Sequence, residues 1–193
     1  SPSVRRLEHP PLPLYAVPTT AGTGAEMTRN AVICVPEQQT KRSMRDTRMI
    51  PLAALIDPAL TRSVPPATTA AGGLDAITQL IEVCISNKRT PATTALALQA
   101  LPKTAPALMQ AFENGSNRPA REQLSYASFV SGVCLANSGL AMAHGIAAGL
   151  GALLDMPHGL ACGILLPHTL EFNQEACPKE LMAAMTALLD RKT

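Results

Sequence analysis

The chain has no tryptophan, and three phenylalanines and two tyrosines leave it only 3% aromatic. Charge is scarce and balanced, with 16 Lys and Arg against 14 Asp and Glu for a net +2. Without a basic cluster set beside aromatics there is no footing for nucleic acid, so no nucleic-acid partner is expected. Five cysteines (Cys34, Cys84, Cys134, Cys162, Cys177) are an odd number at wide spacing, with no CxxC. That argues for reduced, mostly buried thiols and against a disulfide frame or a zinc knuckle. Long apolar runs are missing too. The longest, from Gly139 to Leu154, is broken by His144 and by glycines and closed by Asp155, so no membrane span is expected. Near the N-terminus Arg5, Arg6, Glu8 and His9 lead into prolines and not into an apolar helix, which is not the layout of a signal peptide. No GxGxxG, GKS/GKT loop, internal repeat or heptad pattern is present. These absences leave a cytoplasmic protein of small-molecule chemistry.

What is present is 193 residues with 47% hydrophobic content, enough to bury a sizeable core in one or two globular units. Two textures divide it. Residues 1–66 are rich in proline and threonine, with short apolar runs at Leu14–Val17, Ala31–Val35 and Leu52–Ile56 that read as strands. From residue 67 onward Ala, Leu, Met and Gln recur at helical spacing. Helices are expected over Ala67–Ile85, Thr90–Phe112, Ala120–Ser138, Gly139–Leu153, His158–Asn173 and Lys179–Leu189. Pro102 and Pro106 must kink or split the second, and Asn114-Gly115-Ser116-Asn117 breaks the chain after it.

Three motifs carry chemistry. His144 and His158 stand fourteen residues apart in an Ala- and Gly-rich run, which is ligand spacing for one metal ion. His168 follows Pro167 and could equally be structural, and His9 is assigned nothing. In Gly72-Gly73-Leu74-Asp75-Ala76-Ile77-Thr78-Gln79-Leu80-Ile81-Glu82, helical spacing puts Asp75, Gln79 and Glu82 on one face. Asp75 as a helix cap with Gln79 and Glu82 in solvent is the plainer reading of that segment alone. Two histidines plus an acid from another helix would make a set suited to zinc or ferrous iron. The loop Pro18-Thr19-Thr20-Ala21-Gly22-Thr23-Gly24-Ala25-Glu26 combines hydroxyls with glycines and can donate several hydrogen bonds to a phosphate or ribose. A turn that merely caps the next helix has the same composition.

The segments PTTAGTGAEMT (18–28), LIDPALTRSVPP (55–66), GLDAITQLIE (73–82), AMAHGIAAGLGALLDMPHG (141–159) and ILLPHTLEFN (164–173) occur together and in order. With them the chain resembles the iron-containing (group III) alcohol dehydrogenase family, to which glycerol dehydrogenase and, by fold, dehydroquinate synthase are related. The resemblance implies a mainly α chain with a small β portion. Residues 1–66 would end a Rossmann-like NAD(P)-binding domain, and residues 67–193 would form an all-helical metal-binding domain, incomplete at its C-terminus. It implies hydride transfer between an alcohol and NAD or NADP, with a divalent metal, iron or zinc, polarising the substrate oxygen. Asp75, His144 and His158 match metal ligands of the family. Thr19, Thr20 and Thr23 match its cofactor loop, Lys41 a lysine near the ribose, and Asn30 an active-site asparagine.

Two positions depart from the family pattern. Gln79 stands where a fourth ligand histidine is usual, and Ala148 where a histidine relays the proton. A neutral amide oxygen is the weaker ligand, so Gln79 should weaken iron binding or leave a three-ligand zinc site closed by water, as in glycerol dehydrogenase. A polyol or glycerol-type dehydrogenase, or a non-catalytic metal-binding remnant, are the alternatives. Few aromatics hint at a small aliphatic alcohol or aldehyde. The family's pyrophosphate-clamping glycine loop should precede Ser1, so the 193 residues alone are expected to bind NAD(P) weakly and turn over little. A homodimer is expected of the full-length enzyme, through the sheet and a hairpin near Ala31 to Met44.

Overall fold

Proline removes a backbone donor and fixes φ, and the first third of the chain is accordingly made of short strands and single 3-10 turns. The computed structural model describes residues 7–38, 40–154 and 156–189, with the side chains of Cys34, Pro36, Lys41 and Ala152 outside the description. Strand β1 (Tyr15–Ala16) pairs in parallel with β4 (Ala53–Ala54). Strands β2 (Asn30–Val35) and β3 (Thr40–Arg45) form an antiparallel hairpin whose register runs from Asn30↔Arg45 to Val35↔Thr40. The three expected apolar runs are all strands, two of them trimmed to two residues. β3, Thr-Lys-Arg-Ser-Met-Arg, has no apolar run to announce it. It exists because β2 supplies a full ladder of backbone partners.

The remainder is helical: α1 (Pro66–Ile85), α2 (Pro91–Ala100), α3 (Thr104–Glu113), α4 (Arg118–Ser138), α5 (Met142–Leu153), α6 (His158–Asn173) and α7 (Pro178–Leu188). The expected segment Thr90–Phe112 is divided, with Pro102 inside a 3-10 turn at Leu101–Lys103. Pro106 sits in the first turn of α3, where its missing N–H would have had no partner. α2 starts on a capping box between Thr90 and Thr93, and α4 on the Asn117 side chain, which accepts from the Ala120 N–H.

α1 is the axis of the molecule. It packs against α2, α3, α4, α6 and α7, and its Leu80, Ile81 and Val83 are wholly buried. Buried alanines on its neighbours (Ala97, Ala100, Ala127, Ala161, Ala184) let these helices approach closely. Arg121 of α4, 3% exposed, donates to the Thr69 hydroxyl (2.9 Å) and to the carbonyls of Gly115 (3.0 Å) and Val64 (3.2 Å), pinning the start of α1. The threonine loop is wedged between α1 and α4. The Gly22 N–H donates to Ser128 Oγ at 2.8 Å, and Gly24 adopts a left-handed φ of 59° against Gly132. Among the described residues no single helix is long and apolar enough to cross a membrane.

Candidate metal centre

Asp75 and Glu82 project from α1 into the bundle and are each 1% exposed, too deeply buried for carboxylates without partners. Their shared partner is His144, in the first turn of α5. Its Nε2 lies 3.0 Å from Asp75 Oδ1, and its Nδ1 lies 2.6 Å from Glu82 Oε2. The other Glu82 oxygen accepts the Ala143 N–H at 2.6 Å, so a carboxylate from α1 also caps the positive N-terminus of α5. Burial alone would lower the His144 imidazole, but hydrogen bonds to Asp75, Cys162 and Glu82 outweigh it and push the group up to about 11.

A third helix closes the site. His158, at the start of α6, brings Nε2 to 3.9 Å from Asp75 Oδ1, and its ring meets that of His144 edge-on at 5.4 Å between centroids. α6 comes this close to α1 because Gly159 has no side chain. A Cβ there would lie 2.0 Å from the Ala71 carbonyl oxygen and 3.1 Å from Asp75 Cβ. One turn further along, Cys162 is fully buried with Sγ 3.7 Å from His158 Nε2. Burial raises its thiol, and His144 only partly offsets this. One ligand atom from each of Asp75, His144, His158 and Cys162 can be chosen so that all lie within 4.8 Å of one another.

These donors fit a divalent cation: a carboxylate oxygen, two imidazole nitrogens and a sulfur, with Glu82 behind His144 as the carboxylate that orients a ligating imidazole. Gln79 adds a further sign. Its Nε2 donates weakly to the Thr23 carbonyl at 3.4 Å, and its Oε1 is buried with no hydrogen-bond partner among the described residues.

Of the residues singled out from sequence, Asp75, His144 and His158 are brought together, and Gln79 lies one turn along α1 from Asp75. Asp75 caps no helix, since it lies in the second half of the first three turns of α1. His168 lies on α6, on a different side from His158 by its spacing, and is exposed; Ala148 on α5 is exposed. Thr20, Thr23 and Asn30 line one open cleft of about 400 Å³ together with Ala16, Glu26 and Met49, and Asn30 Oδ1 accepts from Arg45 Nε at 3.0 Å. Thr19 is exposed beside it, and the Lys41 side chain lies outside the described residues. The hydrogen bond from Gln79 to Thr23 links this cleft to the histidine cluster. Sequence reasoning placed Glu82 on the right face without giving it a role, and it counted Cys162 only among the reduced, mostly buried thiols. The available signals were a second acid on an otherwise apolar helix face and an i, i+4 spacing from His158.

A helical bundle that gathers a carboxylate and two imidazoles from three helices, next to a threonine-lined cleft, has the makings of a metal-binding enzyme site. The chain belongs to the iron-containing alcohol dehydrogenase family: the model for iron-containing alcohol dehydrogenase matches residues 2–58, and that for the C-terminal part of the Fe-containing alcohol dehydrogenase family matches residues 69–193. It is 41% identical over 177 residues to 1,3-propanediol dehydrogenase of Klebsiella pneumoniae, covering 92% of this chain and 46% of that one. It is 39% identical over 168 residues to alcohol dehydrogenase 4 of Saccharomyces cerevisiae, covering 87% and 44%. Among solved structures, an alcohol dehydrogenase from Oenococcus oeni superposes with a TM-score of 0.92 at 37% identity, over 99% of this chain and 50% of that one. The chain thus spans about half the length of the curated relatives it matches.

Proposed function

We propose that the protein acts as a metal-dependent, NAD(P)-linked oxidoreductase that interconverts small alcohols and aldehydes or ketones by hydride transfer. The observation that carries this reading is the convergence of Asp75, His144 and His158 from three helices, with Glu82 fixing the central imidazole. Asp75, His144 and His158 would hold iron or zinc, with Gln79 as the weakest donor nearby. Bound there, the metal would supply a Lewis acid that favours the alkoxide form of the substrate. Thr19, Thr20, Thr23, Asn30 and Lys41 are assigned to the NAD or NADP side. Hydroxyls and backbone amides of the loop at residues 18–28 would orient the cofactor, and wedging this loop against α4 through Ser128 fixes its distance from the histidines. In this reading residues 1–66 end the cofactor-binding domain and residues 67–193 form the helical catalytic domain. The β2–β3 hairpin would serve a homodimer, and the free thiols of Cys84, Cys134, Cys162 and Cys177 suit a cytoplasmic setting.

Gln79 favours one variant of this reading, a polyol or glycerol-type dehydrogenase using zinc. The test is metal analysis of the chain and of Asp75→Ala and His158→Ala after separate loading with iron and zinc, followed by assay of the full-length enzyme with primary alcohols and polyols and with NAD and NADP. One metal per chain, lost in both variants, with alcohol-dependent reduction of the nicotinamide, is the expected result. Metal without alcohol oxidation would make the chain a non-catalytic remnant, and no metal would overturn the proposal.

A further inference from the structure

We propose that Cys162 is the fourth metal ligand of this centre, so that the ion is held by Asp75, His144, His158 and the Cys162 thiolate, and that this set favours zinc. The inference rests on the reading above that an ion binds here, and it names the donor that replaces the expected histidine at Gln79.

Geometry makes the case first. In a tetrahedral site with bonds of about 2.0–2.1 Å to nitrogen and oxygen and about 2.3 Å to sulfur, neighbouring ligand atoms lie about 3.3–3.6 Å apart. Asp75 Oδ1 to His144 Nε2 is 3.0 Å, Asp75 Oδ1 to His158 Nε2 is 3.9 Å, and His158 Nε2 to Cys162 Sγ is 3.7 Å. These three edges bracket the tetrahedral value, and the other three lie within 4.8 Å. Spacing of i, i+4 on α6 puts His158 and Cys162 on one helical face, as Asp75 and Gln79 share one on α1.

The other described thiols behave differently. Cys84 donates to the Leu80 carbonyl, Cys134 to that of Thr93 and Cys177, just before α7, to that of Asn173, so each thiol ends on a backbone carbonyl. Cys162 instead faces the two imidazoles. Chemistry then separates it from Gln79. A thiolate is charged and soft and binds zinc strongly, whereas an amide oxygen is neutral and hard. Asp75 and a Cys162 thiolate, both buried, together match the charge of a dication. On loading, the Cys162 thiol proton and the proton on His144 Nε2 pass to the buffer as the metal–sulfur and metal–nitrogen bonds form, with no change of oxidation state. A substrate oxygen would enter as a fifth ligand, and Gln79 Oε1 is left to accept its hydroxyl proton as a hydrogen bond.

X-ray absorption of the zinc-loaded protein tests this directly, supported by the thiolate-to-metal charge-transfer band of the cobalt(II) form. The expected result is one sulfur at about 2.3 Å. Cys162→Ser should lose the sulfur and the cobalt band and bind zinc more weakly by more than the about 10–100-fold that loss of an outer-sphere partner costs. Gln79→Ala should keep both. A shell of nitrogen and oxygen alone in the parent, or unchanged zinc affinity in Cys162→Ser, overturns the inference and leaves the proposed function standing. Failure of the parent to bind zinc or cobalt overturns the inference, and failure to bind iron as well overturns the proposed function too. Should Cys162→Ser not fold, the parent's spectrum decides alone.

Discussion

Asp75 and Glu82 hold opposite nitrogens of one imidazole, and this pairing makes His144 the best-fixed side chain of the centre. Glu82→Gln keeps the size of the side chain and removes the charge that orients the ring. Metal affinity is predicted to fall about 10–100-fold with stoichiometry unchanged, read by competition with a chromophoric chelator. An unchanged affinity would mean that the ring is held by packing alone. At this scale the candidate ligands Asp75, His144 and His158 were legible in sequence because few polar residues stand in those apolar segments. Cys162 was not, because a buried cysteine in a helix looks the same whether it faces a carbonyl or a pair of imidazoles.

Elements place these side chains through contacts between backbones. α6 lies on α1 at Gly159, and Gly159→Ala would drive a methyl into the Ala71 carbonyl, so the helices must part. A loss of about 1–3 kcal/mol is predicted, seen as a melting temperature lower by several degrees, with weaker metal binding because His158 moves with its helix. Asn117→Ala removes only the cap of α4 and is predicted to cost about 1 kcal/mol while leaving metal affinity as it was, which separates stability from the site. Most helices were legible as periodic segments, and Pro102 marked the break between α2 and α3. β3 was not legible from its own residues, because a polar, basic segment becomes a strand only through the partner it pairs with.

For the whole molecule, pH offers a test of how its buried groups are arranged. Burial pushes the Cys84 and Cys134 thiols from 9.0 to about 11, and in Cys134 burial alone does so. Between these values the unfolded chain has released protons that the folded chain retains, so stability falls as pH rises from about 9 to about 11. His144, raised from 6.5 to about 11, acts in the same direction: its contribution is complete below 6.5 and is lost as pH rises through the folded value. With a chelator present, the urea midpoint is therefore predicted to decline steadily from about pH 7 to about pH 11. A flat profile would show that these groups are not held as described. The amino-acid sequence by itself determined the division into a strand-bearing third and a helical remainder and the family, and it singled out Asp75, Gln79, His144 and His158 as candidates to hold a metal, because periodicity, proline and isolated polar residues in apolar runs are local properties. Only the tertiary structure decided that Glu82 orients His144 and that Cys162 joins the cluster. It also decided that Thr20, Thr23 and Asn30 share one cleft, because each depends on which faces of distant segments meet.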